Sequence, residues 1–392
     1  MLEVYLDHAA TTTIRGEVIE VVSRVMRDTG NASSLHNAGR QARRIVEEAR
    51  EQVAYAVGAD PIEIIFTSGA TEANNIAIQG MFQIANDGDQ TPLSILTSAG
   101  EHHSVLDPIR YLADKSGALI QWVQLSPDGA VSETTLASAL AVVDPPIALA
   151  SLMWVNNETG AISDIRALAR LCQDRKIPLH TDAVQAWSII DLDFRSSGAS
   201  TMALSGHKIG GPQGIGALVA KRSFGPDPLI HGGGQERRIR SGTLDVATIA
   251  GFGVAAQSMV RDRSADTIRR SALRRRLASG IVSSVPEAIL NGPPLTPTDH
   301  VVPGIVNVTF PGVRAETLLM VLDGRGIYVS TGSACTAGVA EPSHVILAMT
   351  GDEHLASQSL RLSLGRTTDE ADIDHVLGEI ADAVDMARAA SI

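Results

Sequence analysis

Aromatic side chains are scarce: phenylalanine, tyrosine and tryptophan together make up 3% of the 392 residues. Alanine, valine, leucine and isoleucine must therefore fill the interior, within a hydrophobic fraction of 44%, as is common where helices cover both faces of a sheet. Cysteine is almost absent. Cys172 and Cys335 are the only two, which excludes a disulfide framework, and they show no metal-ligand spacing, so no metal site is expected. No apolar run approaches the roughly 20 residues of a membrane-spanning helix. Positive charge is not in excess either. The net charge is −12, which argues against nucleic acid or an anionic membrane as the main partner. The segment Met1-Leu-Glu-Val-Tyr-Leu-Asp-His8 lacks a basic region followed by an apolar stretch, so no signal peptide is expected. There is no internal repeat or low-complexity tract. These absences point to an enzyme of a reducing, cytoplasmic compartment.

The length exceeds what one hydrophobic core usually serves, so two domains are expected. Short apolar runs at 63–66, 93–98, 119–123, 147–155, 178–181, 201–204 and 215–220 alternate with longer helical patterns. Seven such strands predict an α/β fold built on one large, mostly parallel sheet covered by helices on both faces. Residues 39–58 read as an amphipathic helix whose Arg43, Arg44, Glu47, Glu48 and Arg50 form a solvated face. Residues 262–279, with Arg269, Arg270, Arg274, Arg275 and Arg276, likewise read as helix surface. A loop rich in proline and glycine at 291–298 is followed by strand-like 305–310, helix-like 315–322 and strand-like 326–330. The last helix is expected to start at a capping box, Thr367-Thr-Asp-Glu370, with Ile373, Val376, Leu377, Ile380 and Val384 on one face. The resulting assignment is a large domain over 13–255 and a smaller α+β domain made of 256–392 with 1–12.

Lys208 lies in Ser205-Gly-His-Lys-Ile-Gly-Gly-Pro-Gln-Gly-Ile-Gly216, directly after a buried-strand pattern. An ammonium group is almost never buried without a partner. Held between glycines, with a serine and a histidine beside it, it suits a Schiff base to an aldehyde cofactor that carries a phosphate. The plain alternative is a surface lysine in a glycine-rich turn.

Four more polar segments follow strand patterns: Ser68-Gly-Ala-Thr-Glu72, Gly100-Glu-His-His103, Asn156-Asn-Glu-Thr-Gly160 and Asp182-Ala-Val-Gln185. In open α/β sheets ligands bind outside the carboxyl ends of the strands, so these endings are expected to share one site. Pyridoxal phosphate gives each a physical job. Ala70 and Thr71 open a helix, where free N–H groups favour a phosphate; a simple N-cap is the alternative. Asp182 suits the pyridine nitrogen, unless it only caps the next helix, and Gln185 suits the ring oxygen. Either His102 or His103 suits stacking on the ring. Cys335 lies in Ser330-Thr-Gly-Ser-Ala-Cys-Thr-Ala-Gly-Val-Ala-Glu-Pro-Ser-His344, a small, polar setting unusual for a structural thiol, and reads as reactive. Cys172 sits in a helical pattern and reads as inert.

At these residues the chain resembles the cysteine desulfurases of the class V aminotransferase group. The resemblance runs almost end to end. It begins at Tyr5-Leu-Asp-His-Ala-Ala-Thr-Thr-Thr13 and Gly30-Asn-Ala-Ser-Ser-Leu-His36, and continues to Arg240-Ser-Gly-Thr243, Gly332-Ser-Ala-Cys-Thr336 and Arg361-Leu-Ser-Leu-Gly-Arg366. The cysteine segment is similar to the long-loop group used in iron–sulfur cluster assembly and nitrogen fixation.

The resemblance implies pyridoxal phosphate as cofactor and conversion of L-cysteine to L-alanine, with sulfur left as a persulfide on Cys335 for acceptor or scaffold proteins. It implies that Lys208 carries the cofactor and moves protons, that His102 is the stacking histidine, and that Asp182 and Gln185 bind the ring. Ala70, Thr71, Ser205 and His207 would bind the phosphate, completed by Thr243 across a homodimer. Asn157 and Arg361 would position the substrate, the arginine by pairing with its carboxylate. The resemblance also leaves room for a selenocysteine lyase, an aminotransferase (which has no need of Cys335) or a partner-docking subunit with little turnover of its own. Sulfur donation for DNA modification or tRNA thiolation would use the same chemistry.

Overall fold

The computed structural model describes residues 3–28, 30–86, 92–141, 145–295, 302–332 and 341–390. Among them the strands are β1 (Val4–Tyr5), β2 (Ile64–Thr67), β3 (Ser94–Ser98), β4 (Leu119–Val123), β5 (Ile147–Ser151), β6 (Leu179–Asp182), β7 (Thr201–Ser205), β8 (Gly216–Ala220), β9 (Ile289–Asn291), β10 (Ile305–Thr309), β11 (Ile327–Tyr328) and β12 (Ser359–Ser363). Seven of them form one sheet in the order β2-β8-β7-β6-β5-β3-β4. Strand β8 runs antiparallel to both its neighbours, and the other ladders are parallel. Six strands therefore point the same way, and the segments after β2, β3, β5, β6 and β7 leave from one edge. The expected sheet is present; its fifth strand stops at Ser151, and residues 152–155 belong to the turn beyond it.

Successive side chains of a strand face opposite sides, and here both sides are buried. Phe66, Leu96, Met202, Leu204, Ala217 and Val219 join one core cluster, while Ile65, Ile95, Ala203, Leu218 and Ala220 join another across the sheet. The largest aromatic side chains of the interior, Trp187, Phe66, Phe194 and Phe252, lie in the first core. Trp187 and Phe252 meet edge to face at 5.6 Å, and Phe66 and Phe252 at 6.3 Å.

A third core packs Val4 and Leu6 with Leu273, Leu277, Val306, Val308, Phe310, Leu318 and Ile380. Around it β12-β10-β9 form one sheet, and β1 pairs in parallel with β11. The helix Val246–Ser284 serves two cores: Ile249, Phe252 and Met259 face the first, Leu273 and Leu277 the third. The boundary expected between 255 and 256 thus falls inside one continuous helix.

Two charged faces differ from expectation. Arg50 is buried rather than solvated. Its guanidinium donates to both oxygens of Glu236, at 2.8 and 2.7 Å, and lies 4.7 Å over the Phe66 ring. Arg270 and Arg274 are buried too, while Arg275 and Arg276 are exposed. Arg270 pairs with Asp266 at 2.8 Å, and Arg274 donates to the carbonyl of Ile305 at 2.8 Å. The reason is common to both: each helix is flanked on two sides, so part of its polar face meets protein and must find partners there. The last helix, Glu370–Ala390, is capped by Asp369 and Asp372, each N–H donating to the other's carboxylate at 3.0 Å, instead of by Thr367 and Glu370.

Candidate active site

The phosphate-binding candidates sit where β2 turns into the helix Ala70–Ala85. No side chain caps the start of that helix at Gly69. The N–H groups of its first turn therefore lack intrahelical acceptors and favour an anion. Gly216 makes the turn possible: a side-chain carbon there would lie 2.7 Å from the Gly69 carbonyl carbon. Thr71 lines a cleft of about 510 Å³ with Asn75, His102, His103 and Ser104. Ser205 is buried at the end of β7. His207 lies one turn on, with Nδ1 at 3.2 Å from Thr11 Oγ1. Burial, and then the charge of Lys208, lower its pKa to about 4. Glu72 ties the following loop to this corner, accepting from Ser68 N–H at 2.5 Å and from Arg240 Nε at 3.0 Å. Thr243, in that loop, is exposed.

Asp182 ends β6 and is buried. Its Oδ1 accepts from the Val184 N–H at 2.9 Å, and its Oδ2 accepts from Asn74 Nδ2 at 2.8 Å. Both the capping alternative and a role at the site are thus compatible with its place. His102 caps the helix His103–Ser116, its Nδ1 accepting from the Ser104 N–H at 3.1 Å. Burial pushes the His102 pKa down, Asp182 pulls it partly back, and Lys208 lowers it further, so both charged groups act on this ring. The neighbouring Glu101 is buried, which drives its carboxyl well above the usual range; its Oε1 accepts from the Met153 N–H at 2.7 Å.

Lys208 follows β7 in a short 3₁₀ turn. Its Nζ donates to the carbonyls of Ala9 and Ala10 at 2.5 and 2.7 Å. Gln185 donates to the same Ala9 carbonyl at 2.8 Å. Those two residues line a narrow space of about 50 Å³ that also contains Arg15 and Arg270, apart from the cleft at Thr71 and His102. The strand-end residues gather at one edge; Thr71 and His102 line one concavity, Lys208 and Gln185 a second and His207 a third.

The substrate candidates come from opposite sides. Asn157 follows β5, and Arg361 lies on β12. Arg361 is 3% exposed; Nη1 donates to the Asn157 carbonyl at 3.1 Å and Nη2 to Asp7 Oδ1 at 2.7 Å. Arg361 Nε and Asn157 Oδ1 are buried without a hydrogen-bond partner. Buried polar atoms are seldom left so, and two at one place mark a site shaped for a polar ligand. Cys335 lies outside the described residues. Cys172 is buried, and burial raises its pKa to about 12. Among the described residues no cluster could hold a metal ion, and no helix is long and apolar enough to cross a membrane.

The family model "Aminotransferase class-V" matches residues 4–376. The chain belongs to this family. An IscS-like cysteine desulfurase of Mycobacterium tuberculosis is 46% identical, covering 99% of this chain and 98% of that one. Among solved structures, a NifS-like protein superposes with a TM-score of 0.88 at 32% identity, over 98% of this chain and all of that one. A structure titled SspA in complex with cysteine gives a TM-score of 0.78 at 31% identity, over 92% of this chain and 98% of that one.

The cofactor of these class-V enzymes is pyridoxal phosphate, and the residues present fit it. An uncapped helix start suits the phosphate, a buried carboxylate at a strand end suits a protonated ring nitrogen, and a lysine amine is near enough for its charge to act on His102. Several participants were missed from the sequence: Asn74, Ser104 and His180 behind Asp182, and Asp7 behind Arg361. Asn74 left one signal, a poor helix former amid the apolar pattern of residues 70–85. Asp7 left none, because its partner is 354 residues away.

Proposed function

We propose that this protein is a pyridoxal-phosphate-dependent cysteine desulfurase that takes L-cysteine to L-alanine and holds the sulfur on Cys335. The observation that carries the substrate reading is Arg361. It is a buried guanidinium, fixed by Asp7 and the Asn157 carbonyl, with Nε still unpartnered. Such a fork is the natural receptor for an amino-acid carboxylate.

When bound, pyridoxal phosphate draws electrons away from the bonds around an attached amino acid. Asp182 would hold the ring nitrogen. The first turn of the helix Ala70–Ala85, with Thr71, Ser205 and His207, would hold the phosphate. Lys208 would hold the aldehyde group and move a proton on Nζ. Arg361 and Asn157 orient the substrate. The Cys335 sulfur forms a bond to the substrate sulfur as the substrate's carbon–sulfur bond breaks, and the carbon takes a proton. In sum, an enzyme thiol and cysteine become an enzyme persulfide and alanine, with no external oxidant or reductant.

The finer reading follows from the same residues. The persulfide passes to acceptor or scaffold proteins, as the sequence resemblance of the Cys335 segment to the long-loop group suggests, with iron–sulfur cluster assembly the foremost use. The enzyme works as a homodimer in which the exposed Thr243 completes the partner's phosphate site. It works in the cytoplasm, where a free thiol nucleophile stays reduced. The test is product analysis with L-cysteine and an added thiol reductant, which releases the persulfide sulfur as sulfide. Alanine and sulfide are expected from the wild type and neither from Lys208→Ala; a keto acid in place of alanine would instead establish an aminotransferase.

A further inference from the structure

The residues assigned to the cofactor phosphate bring it no fixed positive charge. Ala70, Thr71, Ser205 and Thr243 have uncharged side chains. His207 is neutral at neutral pH as well, since burial and then Lys208 lower its pKa to about 4. The same helix start carries an anion instead: Glu72 is the third residue of the helix Ala70–Ala85. Its Oε2 accepts from the Ser68 N–H at 2.5 Å, so the carboxylate lies against the turn that would receive the phosphate. Burial works against that charge, but the Ser68 N–H and then Arg240 outweigh it and keep the carboxyl below its ordinary range. An ionised Glu72 takes one N–H group of the turn and repels a phosphate at the others.

Arg240 answers that charge. Its Nε donates to Glu72 Oε1 at 3.0 Å, and the two side chains are only 20% and 13% exposed. The arginine is held from behind. Its backbone exchanges both hydrogen bonds with Glu236, at 3.0 and 3.2 Å. The Glu236 carboxylate in turn accepts from the Phe66 N–H at 2.8 Å and from Arg50. The loop is thereby fastened to β2 two residues before Ser68. A solvated arginine free to swing is a weak counter-charge, whereas this one is fixed by contacts on both sides.

We propose that Arg240 is a positioning residue for the cofactor phosphate: it cancels the Glu72 carboxylate at the phosphate-binding helix start, so that a dianion binds there without a cationic side chain of its own. The inference rests on the proposed function, in which pyridoxal phosphate occupies this site. Without Arg240 the Glu72 charge stands alone beside the phosphate; without both, the turn is neutral again.

The experiment is equilibrium dialysis of pyridoxal phosphate, and of pyridoxal, which has the ring and aldehyde but no phosphate. Arg240→Met should bind pyridoxal phosphate about 10- to 100-fold more weakly, the order expected of one uncompensated charge near a partly buried anion. It should bind pyridoxal within about threefold of wild type, because pyridoxal brings no charge to that corner. Adding Glu72→Gln should restore the affinity for pyridoxal phosphate, since the amide oxygen still accepts from Ser68 and no charge remains. Glu72→Gln alone should bind pyridoxal phosphate at least as tightly as wild type. A pair that merely fastens the loop gives another pattern: each single variant weakens both ligands alike, and the double variant restores neither. That pattern, or an Arg240→Met protein with wild-type affinity for pyridoxal phosphate, would overturn the proposal. If Arg240→Met does not fold, a loss of affinity in Glu72→Gln alone still overturns it. A wild type that binds no pyridoxal phosphate would overturn the proposed function and this proposal with it, whereas the variant patterns decide the proposal alone.

Discussion

Replacing Arg361 by lysine keeps the positive charge and removes the fork. In the structure the guanidinium serves two protein acceptors, Asp7 Oδ1 at 2.7 Å and the Asn157 carbonyl at 3.1 Å, from a site 3% exposed. An ammonium group on a shorter reach can keep the Asp7 contact, but it cannot also present two parallel N–H groups to a substrate carboxylate. Losing one partner of a buried charged pair costs about 2–4 kcal/mol. At about 1.4 kcal/mol per decade that is a fall in kcat/KM of about 30- to 700-fold. The carboxylate is held alike before and during reaction, so the loss belongs mainly to KM. The assay is alanine formation against cysteine concentration, with cysteamine as a substrate lacking the carboxylate. Arg361→Lys should lose most of the enzyme's preference for cysteine over cysteamine while keeping the visible absorbance of bound cofactor. A kcat/KM within about threefold of wild type would show that Arg361 does not receive the carboxylate.

Arg50→Ala should destabilise the fold by about 3–5 kcal/mol in urea unfolding, because it strands the Glu236 carboxylate in the core; a change below about 1 kcal/mol would refute that reading. Cys172 should resist alkylation in the native protein at neutral pH, since burial raises its pKa to about 12; rapid labelling of Cys172 would refute it. Acid should destabilise the cofactor-free protein in a defined window. Burial lowers His8, aided by Arg270, to about 4, His180 to about 3 and His207, aided by Lys208, to about 4. Below the ordinary value of 6.5 the unfolded chain binds protons that the folded chain excludes, so their contribution is full above 6.5 and is lost as pH falls through about 4. Thermal melts that are flat between these limits would contradict the assignment.

The sheet and the strand-end residues could be read from the sequence because both are local. An apolar run followed by a polar, glycine-bearing turn reports a strand end in a few residues, and one shared edge follows from the fold class. What was not legible depends on distant pairing. Arg50 reads as solvated until Glu236 arrives from 186 residues away. Arg270 and Arg274 look like surface until β10 packs against their helix. Asn74 became visible as part of the site only when β6 and the helix after β3 brought Asp182 and Ser104 to it. The positions of Lys208 and Gln185 on the Ala9 carbonyl could not be inferred either, since the first dozen residues cross to the sheet edge only in the folded chain.

The central claim is that Cys335 takes sulfur from cysteine. A single turnover of the cofactor-loaded enzyme with isotopically labelled cysteine, followed by mass spectrometry of its peptides and quantitation of alanine, tests it most directly. The account predicts one alanine for each persulfide, the label on the peptide containing Cys335 and none on that containing Cys172, and neither product from Cys335→Ser. Full conversion of cysteine to alanine by Cys335→Ser would contradict it.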